Sequence, residues 1–449
     1  MEGITLNTIC SVCKGKLLCC EDGTKIEPRF ACIDSRKIAL GDVFFALPGD
    51  NTDGHKYVNT AFEGGASCAV VSSIPDEGYL GPVVLVESVL TALQDLAAFY
   101  RGELKASIIG VTGSVGKTTT KEMIAAVLSH KLQVCKTEGN LNNEIGVPLT
   151  LLSASRRDEA VVVEMGISDF GEMTLLSKIA KPNYMVYTAI GAAHLDNLGD
   201  LSGVFRAKTE AIGQMPDNGI VIYNGDDAYL RTIECQQKRV IYGTQLSFDL
   251  VATDVEQTKN GSDFIIHHGE SVIATSCSTP GRHMVYAALA GAAVGLELGL
   301  TGDEISEGIQ AYATVGHRSR IIETGRYTII DDCYNANPTS MEAALRALAE
   351  RQGEKVCVLG DMLELGKETE QYHERIGKIA TECGLRCVLA VGEQAEALCR
   401  GTGEIGEPFR TKQELIQHLN DYLRDGDTVL VKASRGLALE EVVEVIEQF

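Results

Sequence analysis

The chain has 449 residues, with 40 Lys and Arg against 62 Asp and Glu, a net charge of −22. That charge argues against a nucleic-acid partner, whose phosphates it would repel, but leaves room for a small anion held by local cations. With 45% hydrophobic and 23% charged residues the composition is that of a soluble globular protein, and no apolar run reaches the roughly 18 residues needed to span a bilayer.

Length alone suggests about three domains. Residues 1–101 are predicted to form a small α/β unit. Short β-like runs at Val43–Leu47, Cys68–Val71 and Val83–Val86 are separated by glycine turns and polar segments such as Asp50–His55, and helical spacing covers Val89–Tyr100. The opening MEGITLNTIC lacks a basic segment followed by an apolar core, so no export signal is read and the cytoplasm is expected. Of 14 cysteines the only close set is Cys10, Cys13, Cys19 and Cys20. One CxxC without a well-spaced second pair reads as reduced thiols rather than a zinc site.

Residues 102–313 alternate apolar strands with helical patterns, the mark of a mainly parallel sheet covered by helices. The run SIIGVTGSVGKTTT (Ser107–Thr120) organises the chain: a buried strand to Val111, a glycine-punctuated turn and a helix opening near Thr118. Glycines let successive N–H groups close around an anion, and the helix N-terminus adds partial positive charge. Lys117 reaches terminal phosphates and the Thr118 hydroxyl can ligate Mg²⁺. The spacing departs from the plain P-loop: Val111 stands where that pattern has glycine, and the extra glycine is Gly113. Further strands are predicted at Ala160–Glu164, Tyr184–Thr188 and Ile220–Tyr223, an antiparallel extension over 244–279 and a helix over Arg282–Leu300.

Parallel sheets bind ligands at the carboxyl edge of their strands. Glu164 ends one strand there and is placed to help hold a nucleotide's Mg²⁺; the bland alternative is a solvated glutamate. The loop after Thr188 brings His194 to the same edge, with Asp196 nearby, although a lone histidine is more often structural than a metal ligand. Asn140, Asn142 and Asn143 either cap turns or face a polar substrate, with nothing to choose between them. Lys208, on a helix expected to start near Leu201, has the pattern of a solvated face.

Residues 314–449 alternate again, from a start near Val315: strands Tyr327–Asp331, Lys355–Leu359, Cys387–Val391 and Thr428–Lys432, with helices from Ser340, from Thr369, over 412–424 and at the end. Four runs, GHRSR, DDCYNANPTSM, GDMLELG and VKASRG, gather at strand ends with charges of both signs, which suggests a second substrate site in a cleft between domains.

In these motifs, in this order, the chain resembles the Mur ligases of peptidoglycan synthesis. The resemblance runs through DSR (Asp34–Arg36), DGH (Asp53–His55), TGSVGKTTTKE, GNLNNEIGVP, VEMG, AHLDNLG, AKTE, DDCYNANPTSM, GDMLELG and KASR, nearly the whole length. The YNANP run with GDMLELG favours the branch that adds D-alanyl-D-alanine. The resemblance implies a three-domain α/β architecture, with a central P-loop parallel-sheet ATPase domain and a Rossmann-like C-terminal domain. It implies ATP and Mg²⁺ as cofactors, with UDP-N-acetylmuramoyl-tripeptide and D-alanyl-D-alanine as substrates, joined through an acyl phosphate by a monomer. The N-terminal domain would take the UDP-sugar end, with Ser35, Arg36, Asp53 and His55. Gly113, Ser114, Val115, Gly116, Lys117, Thr118 and Thr119 would cradle ATP, Arg318 and Asp332 would meet its phosphate and ribose, and Asn140, Asn142 and Asn143 would face substrate. Thr118, Glu164, His194 and a carbamylated Lys208 would hold metal, with Lys117, Lys208 and His194 serving catalysis. Asn335, Asn337, Ser434 and Arg435 would lie near the dipeptide.

Two departures stand out. Ala189 replaces a common asparagine, and the helix after TPG reads HMVYA, with Met284 and Ala287 where the family has asparagines, so adenine is read elsewhere or more loosely. Three other readings share the cradle: a sister amide ligase, including one adding glutamate to folate; a P-loop kinase or ATPase; and a binding protein with a degraded nucleotide pocket.

Overall fold

The computed structural model describes residues 1–449 except Glu21, Asp50, Asn51, Asp76, Glu77, Lys259, Asn260, Pro280 and Val315. The first two residues of the Asp50–His55 run, and Val315 at the expected start of the third unit, therefore lie outside the described residues. Three sheets organise the chain, one in each domain of a three-domain α/β fold.

The N-terminal sheet orders its five strands as Lys16–Leu18, Val83–Leu85, Cys68–Val71, Val43–Phe45 and Ala31–Cys32. All pairs are parallel except that of the edge strand Lys16–Leu18. The helix predicted over Val89–Tyr100 runs Val89–Glu103, started by Ser88, whose hydroxyl accepts from the Thr91 N–H. Its buried residues Val89, Ala92, Leu93, Leu96, Ala97 and Tyr100 recur every three or four positions, one apolar stripe. This stripe packs in one continuous core with Val43, Phe45 and Val70 of the N-terminal sheet and Val161 and Val163 of the central sheet. The Tyr100 hydroxyl, at the far end, donates to the Ala154 carbonyl at 2.9 Å.

The central sheet has nine strands, in the order Ser271–Cys277, Gly261–His268, Leu250–Thr258, Lys238–Gly243, Ile220–Asn224, Tyr184–Tyr187, Ser107–Thr112, Ala160–Glu164 and Val134–Lys136. The last seven are parallel and the first two form the antiparallel extension expected over 244–279. The sequence reading lacked two of these strands, Val134–Lys136 and Lys238–Gly243. Along Ala160–Glu164, alternate side chains serve two cores: Val161 and Val163 face the N-terminal side, while Ala160 and Val162 face helices Lys117–Ser129 and Arg282–Glu297. A strand apolar on both faces must lie inside the sheet, which places the ends of Ser107–Thr112 and Ala160–Glu164 side by side.

The C-terminal sheet runs Arg320–Glu323, Thr328–Asp332, Thr428–Lys432, Lys355–Gly360, Cys387–Val391 and Gly406–Phe409, parallel except for its first strand. Arg320–Glu323, Gly406–Phe409 and helix Ala395–Thr402 were not anticipated. Separate cores fill its two faces. Among the described residues no helix is long and apolar enough to cross a membrane.

Candidate functional site

Strand Ser107–Thr112 delivers the chain into the glycine turn at the carboxyl edge of the central sheet. Gly113 is required by close approach, since a Cβ there would lie 2.0 Å from the Thr188 Oγ1. Gly116 has φ +80 and is the N-cap of helix Lys117–Ser129, a left-handed position that favours glycine. The helix thus opens one residue before the expected Thr118, with its first N–H groups free for an anion. The Thr188 hydroxyl donates to the Val115 carbonyl at 2.5 Å, and Ser114 and Gly191 exchange two hydrogen bonds of 2.9 Å, so the next strand's loop fixes the turn.

Lys117 folds back so that its Nζ donates to the Gly113 carbonyl at 2.8 Å. Burial pulls its pKa below the ordinary lysine value, the Glu164 charge works against that fall, and the Arg318 guanidinium adds to it. Glu164 is 2% exposed and fully engaged: one oxygen accepts from the Thr118 hydroxyl at 2.7 Å, the other from the Asn142 amide at 2.8 Å. A hydroxyl and a carboxylate in contact at a helix N-terminus are the hard oxygen donors that Mg²⁺ takes. Behind them stands Lys121, one helical turn beyond Lys117 and fully buried. Its Nζ donates to the Thr137 carbonyl at 2.7 Å and lies 2.9 Å from Glu122 and 3.9 Å from Glu164.

A cavity of about 560 Å³ opens between the central and C-terminal sheets. It is lined by the turn from Ser114 to Thr119, by Asn140, Asn142, Asn143, Glu164 and His194, and from the C-terminal side by Arg318, Asp332, Asn335, Asn337 and Lys432. The strand ends predicted to hold phosphate therefore meet two of the four runs predicted for a second substrate, GHRSR and DDCYNANPTSM, in one cleft with Lys432, while GDMLELG lies outside its lining. Asp332 is held from both sides: Ser319 N–H donates to one oxygen at 3.0 Å and Lys432 Nζ to the other at 2.6 Å. Arg318 lies over the Tyr334 ring, 3.8 Å from its centroid.

All three asparagines line the cleft, and two of them also make structural bonds. Asn143 caps helix Gly146–Ser153, accepting from the Ile145 and Gly146 N–H groups, while Asn142 orients Glu164 and Asn140 lines the cleft. Asn337 caps helix Pro338–Ala349 in a capping box with Ser340.

Three family models match along the chain. The model described as Mur ligase family, catalytic domain, covers residues 27–101; Mur ligase middle domain covers 111–295; and Mur ligase, glutamate ligase domain, covers 317–435. A relative from Bacillus subtilis (strain 168), named UDP-N-acetylmuramoyl-tripeptide--D-alanyl-D-alanine ligase, is 39% identical over 94% of this chain and 95% of its own. The chain belongs to the Mur ligase family. An Escherichia coli (strain K12) Mur ligase of the same name is 35% identical over 100% of this chain and 99% of its own. The crystal structure of MurF from Acinetobacter baumannii superposes with a TM-score of 0.92 at 30% identity, covering 99% of both chains. MurF ligase from Thermotoga maritima in complex with ADP superposes at 0.83, with 29% identity over 94% of this chain and 98% of that one.

Within this Mur ligase chain some expected site residues lie away from the cleft. Ser35 and Arg36 form a turn on the N-terminal sheet, where Arg36 grips Asp34 with two 2.8 Å bonds and holds that carboxyl down to about 2. Asp53 accepts from the His55 N–H and pairs with its Nδ1 at 2.7 Å, while His55 Nε2 accepts from the Ser72 N–H. The cleft lining also omits Ser434 and Arg435. Ser434 is 3% exposed and braces the GDMLELG turn by accepting from the Leu363 N–H; Arg435 pairs with Glu440 at 2.7 Å.

Lys208 departs from the solvated-face pattern of its helix. Helix Leu201–Thr209 starts where expected, but Lys208 is 1% exposed rather than on a solvated face. Burial and the Lys117 charge hold its amine well below the ordinary lysine value, with Glu172 opposing. Met284 and Ala287 belong to the apolar core, whereas their neighbour His283 lines the cleft. His283, Lys121 and Lys432 were missed; a charge at a core position of the helix after the cradle was the available signal for Lys121. At Gly191 a Cβ would stand 2.4 Å from the Thr339 Oγ1 of the C-terminal domain. Gly191→Val is therefore expected to wedge the domains apart and lower turnover about tenfold or more, the scale of overpacking a tight contact. Measured turnover should recover in part when Thr339→Gly is added.

Proposed function

We propose that this Mur ligase joins D-alanyl-D-alanine to UDP-N-acetylmuramoyl-tripeptide at the expense of ATP, giving the pentapeptide precursor of peptidoglycan, ADP and phosphate. The observation that carries this reading is the single cleft in which Lys117, Thr118 and Glu164 of one domain face Arg318, Asp332 and Asn335 of another. Relatives that span the full chain and bear that ligase name supply the substrates.

A carboxylate is a poor electrophile, so it is activated first. The γ-phosphoryl group passes from ATP to the tripeptide's terminal carboxylate. The dipeptide amine then attacks the acyl carbon of the resulting acyl phosphate, the C–O bond breaks, phosphate leaves and the nitrogen gives up a proton. Lys117 and the helix N-terminus stabilise charge that spreads over the phosphoryl oxygens, and Arg318 approaches from the opposite wall. Thr118, Glu164 and His194 would hold Mg²⁺, which when bound neutralises phosphate charge. The Lys208 amine, depressed by its surroundings, offers a lone pair to carbon dioxide. The new N–C bond forms as a proton leaves to solvent, and the carbamate would be an anion opposite Lys117 that could serve as a further partner of the metal.

Residues 1–101 take the UDP-sugar end through the turns carrying Ser35, Arg36, Asp53 and His55. Residues 102–313 take ATP. Residues 314–449 take the dipeptide near Asn335 and Asn337, with Ser434 and Arg435 shaping the adjoining turns. The reading keeps a monomer, and the dependence on ATP supports the cytoplasm. The test is phosphate release from ATP and Mg²⁺ with the UDP-muramoyl tripeptide, with and without D-alanyl-D-alanine. Release that needs both, with a product of pentapeptide mass, is expected; release indifferent to the dipeptide would make the protein an ATPase instead.

A further inference from the structure

His194 lies on the central domain, yet its partner does not. Its Nδ1 sits 2.5 Å from Glu364 Oε2, in the GDMLELG turn that follows strand Lys355–Gly360 of the C-terminal sheet. The same turn accepts from the central loop a second time, Leu195 N–H to the Glu364 carbonyl at 3.2 Å. Two residues on, the Cβ position of Gly366 is 3.0 Å from Asp196 Oδ1, so the two turns are seated closely on each other. His194 and Glu364 also share an uncommon backbone, with φ of 53° and 63°, as residues held in place by their surroundings rather than by local preference.

A carboxylate on one imidazole nitrogen fixes the proton there and leaves the other nitrogen, Nε2, unprotonated and aimed. His194 and Glu164 line the same cleft, so the nitrogen left free is the one available to it. We infer that Glu364 is a positioning residue that aims His194 at the bound divalent cation, and that the metal site is complete only when the C-terminal domain is docked. Docking then does more than shelter the cleft. It sets a ligand of the other domain, and so ties phosphoryl transfer to the presence of the domain that brings the dipeptide. This rests on His194 being a metal ligand, as proposed above.

The experiment measures Mn²⁺ affinity by electron paramagnetic resonance in the full-length protein with a non-hydrolysable ATP analogue. Glu364 has a side chain 61% exposed, so its variants keep the fold, which a thermal melt checks. Glu364→Ala is expected to weaken Mn²⁺ binding about 10- to 100-fold, the scale on which a histidine's outer partner acts. Glu364→Gln, which keeps an oxygen acceptor, should recover most of it, and adding Glu364→Ala to His194→Ala should cost nothing further. If His194→Ala weakens binding and Glu364→Ala does not, the inference falls alone. If neither alters Mn²⁺ affinity, it falls together with the reading of His194 as a ligand.

Discussion

Lys117→Ala is expected to abolish turnover, by about 10³-fold or more, the scale on which a single preorganised group at a developing charge acts. The reason is geometric. Lys117 leaves the helix at the point where the N-terminal N–H groups converge, and its side chain donates to the Gly113 carbonyl, within the cradle itself. No core contact depends on the ammonium, so the thermal midpoint should stay within a few degrees of the native value. Phosphate release in the presence of all three substrates is the readout. Near-normal turnover would sink the assignment of the turn to the ATP phosphates.

Lys208→Met should separate function from stability. The side chain is buried, faces the Lys117 charge and has no hydrogen-bond or ion-pair partner among the described residues. An apolar side chain of similar volume removes a buried amine without a polar partner, so the unliganded protein should melt a few degrees higher while turnover falls by about 10²-fold or more. The pH dependence has a definite sign. With its folded pKa below the unfolded value, the amine binds fewer protons when folded, so native stability rises with pH until the ordinary lysine value is passed. Carbamylation removes the same cost by turning the amine into an anion that faces the Lys117 charge. Added bicarbonate should therefore raise the melting temperature of the native protein and leave Lys208→Met unmoved; an equal response in both would refute the modification.

The parts of the cleft that read directly from sequence are those whose chemistry and fold coincide. The cradle needs its glycines, and an apolar strand such as Ala160–Glu164 that ends in an acid places that acid at the sheet edge. The burial of Lys208 did not read because it comes from elements distant in sequence, while its own helix has polar flanks. Glu364 did not read because its partner lies on another domain. Asn143 and Asn337 show a different limit: asparagine suits both a helix start and a polar ligand, and one sequence pattern serves both. Strand Val134–Lys136 is three residues long at the sheet's edge, and Lys238–Gly243 opens on two charges, so neither carries a strong apolar signal. Met284 and Ala287 looked like losses from an adenine site, yet both are buried positions of the apolar core.

The core shared beneath helix Val89–Glu103 also decides how the molecule could be blocked. Parting the N-terminal and central sheets would expose Leu93, Leu96 and Val161 among others, each contributing about 1.5–3 kcal/mol by its burial. The C-terminal body meets the centre through polar pairs and a few modest apolar side chains, Ala192, Leu195 and Leu201. Mechanically the chain is two bodies, not three. A small molecule that props the second body open competes with a histidine–glutamate pair and a glycine contact, whereas one aimed at the other boundary must break into a packed interior.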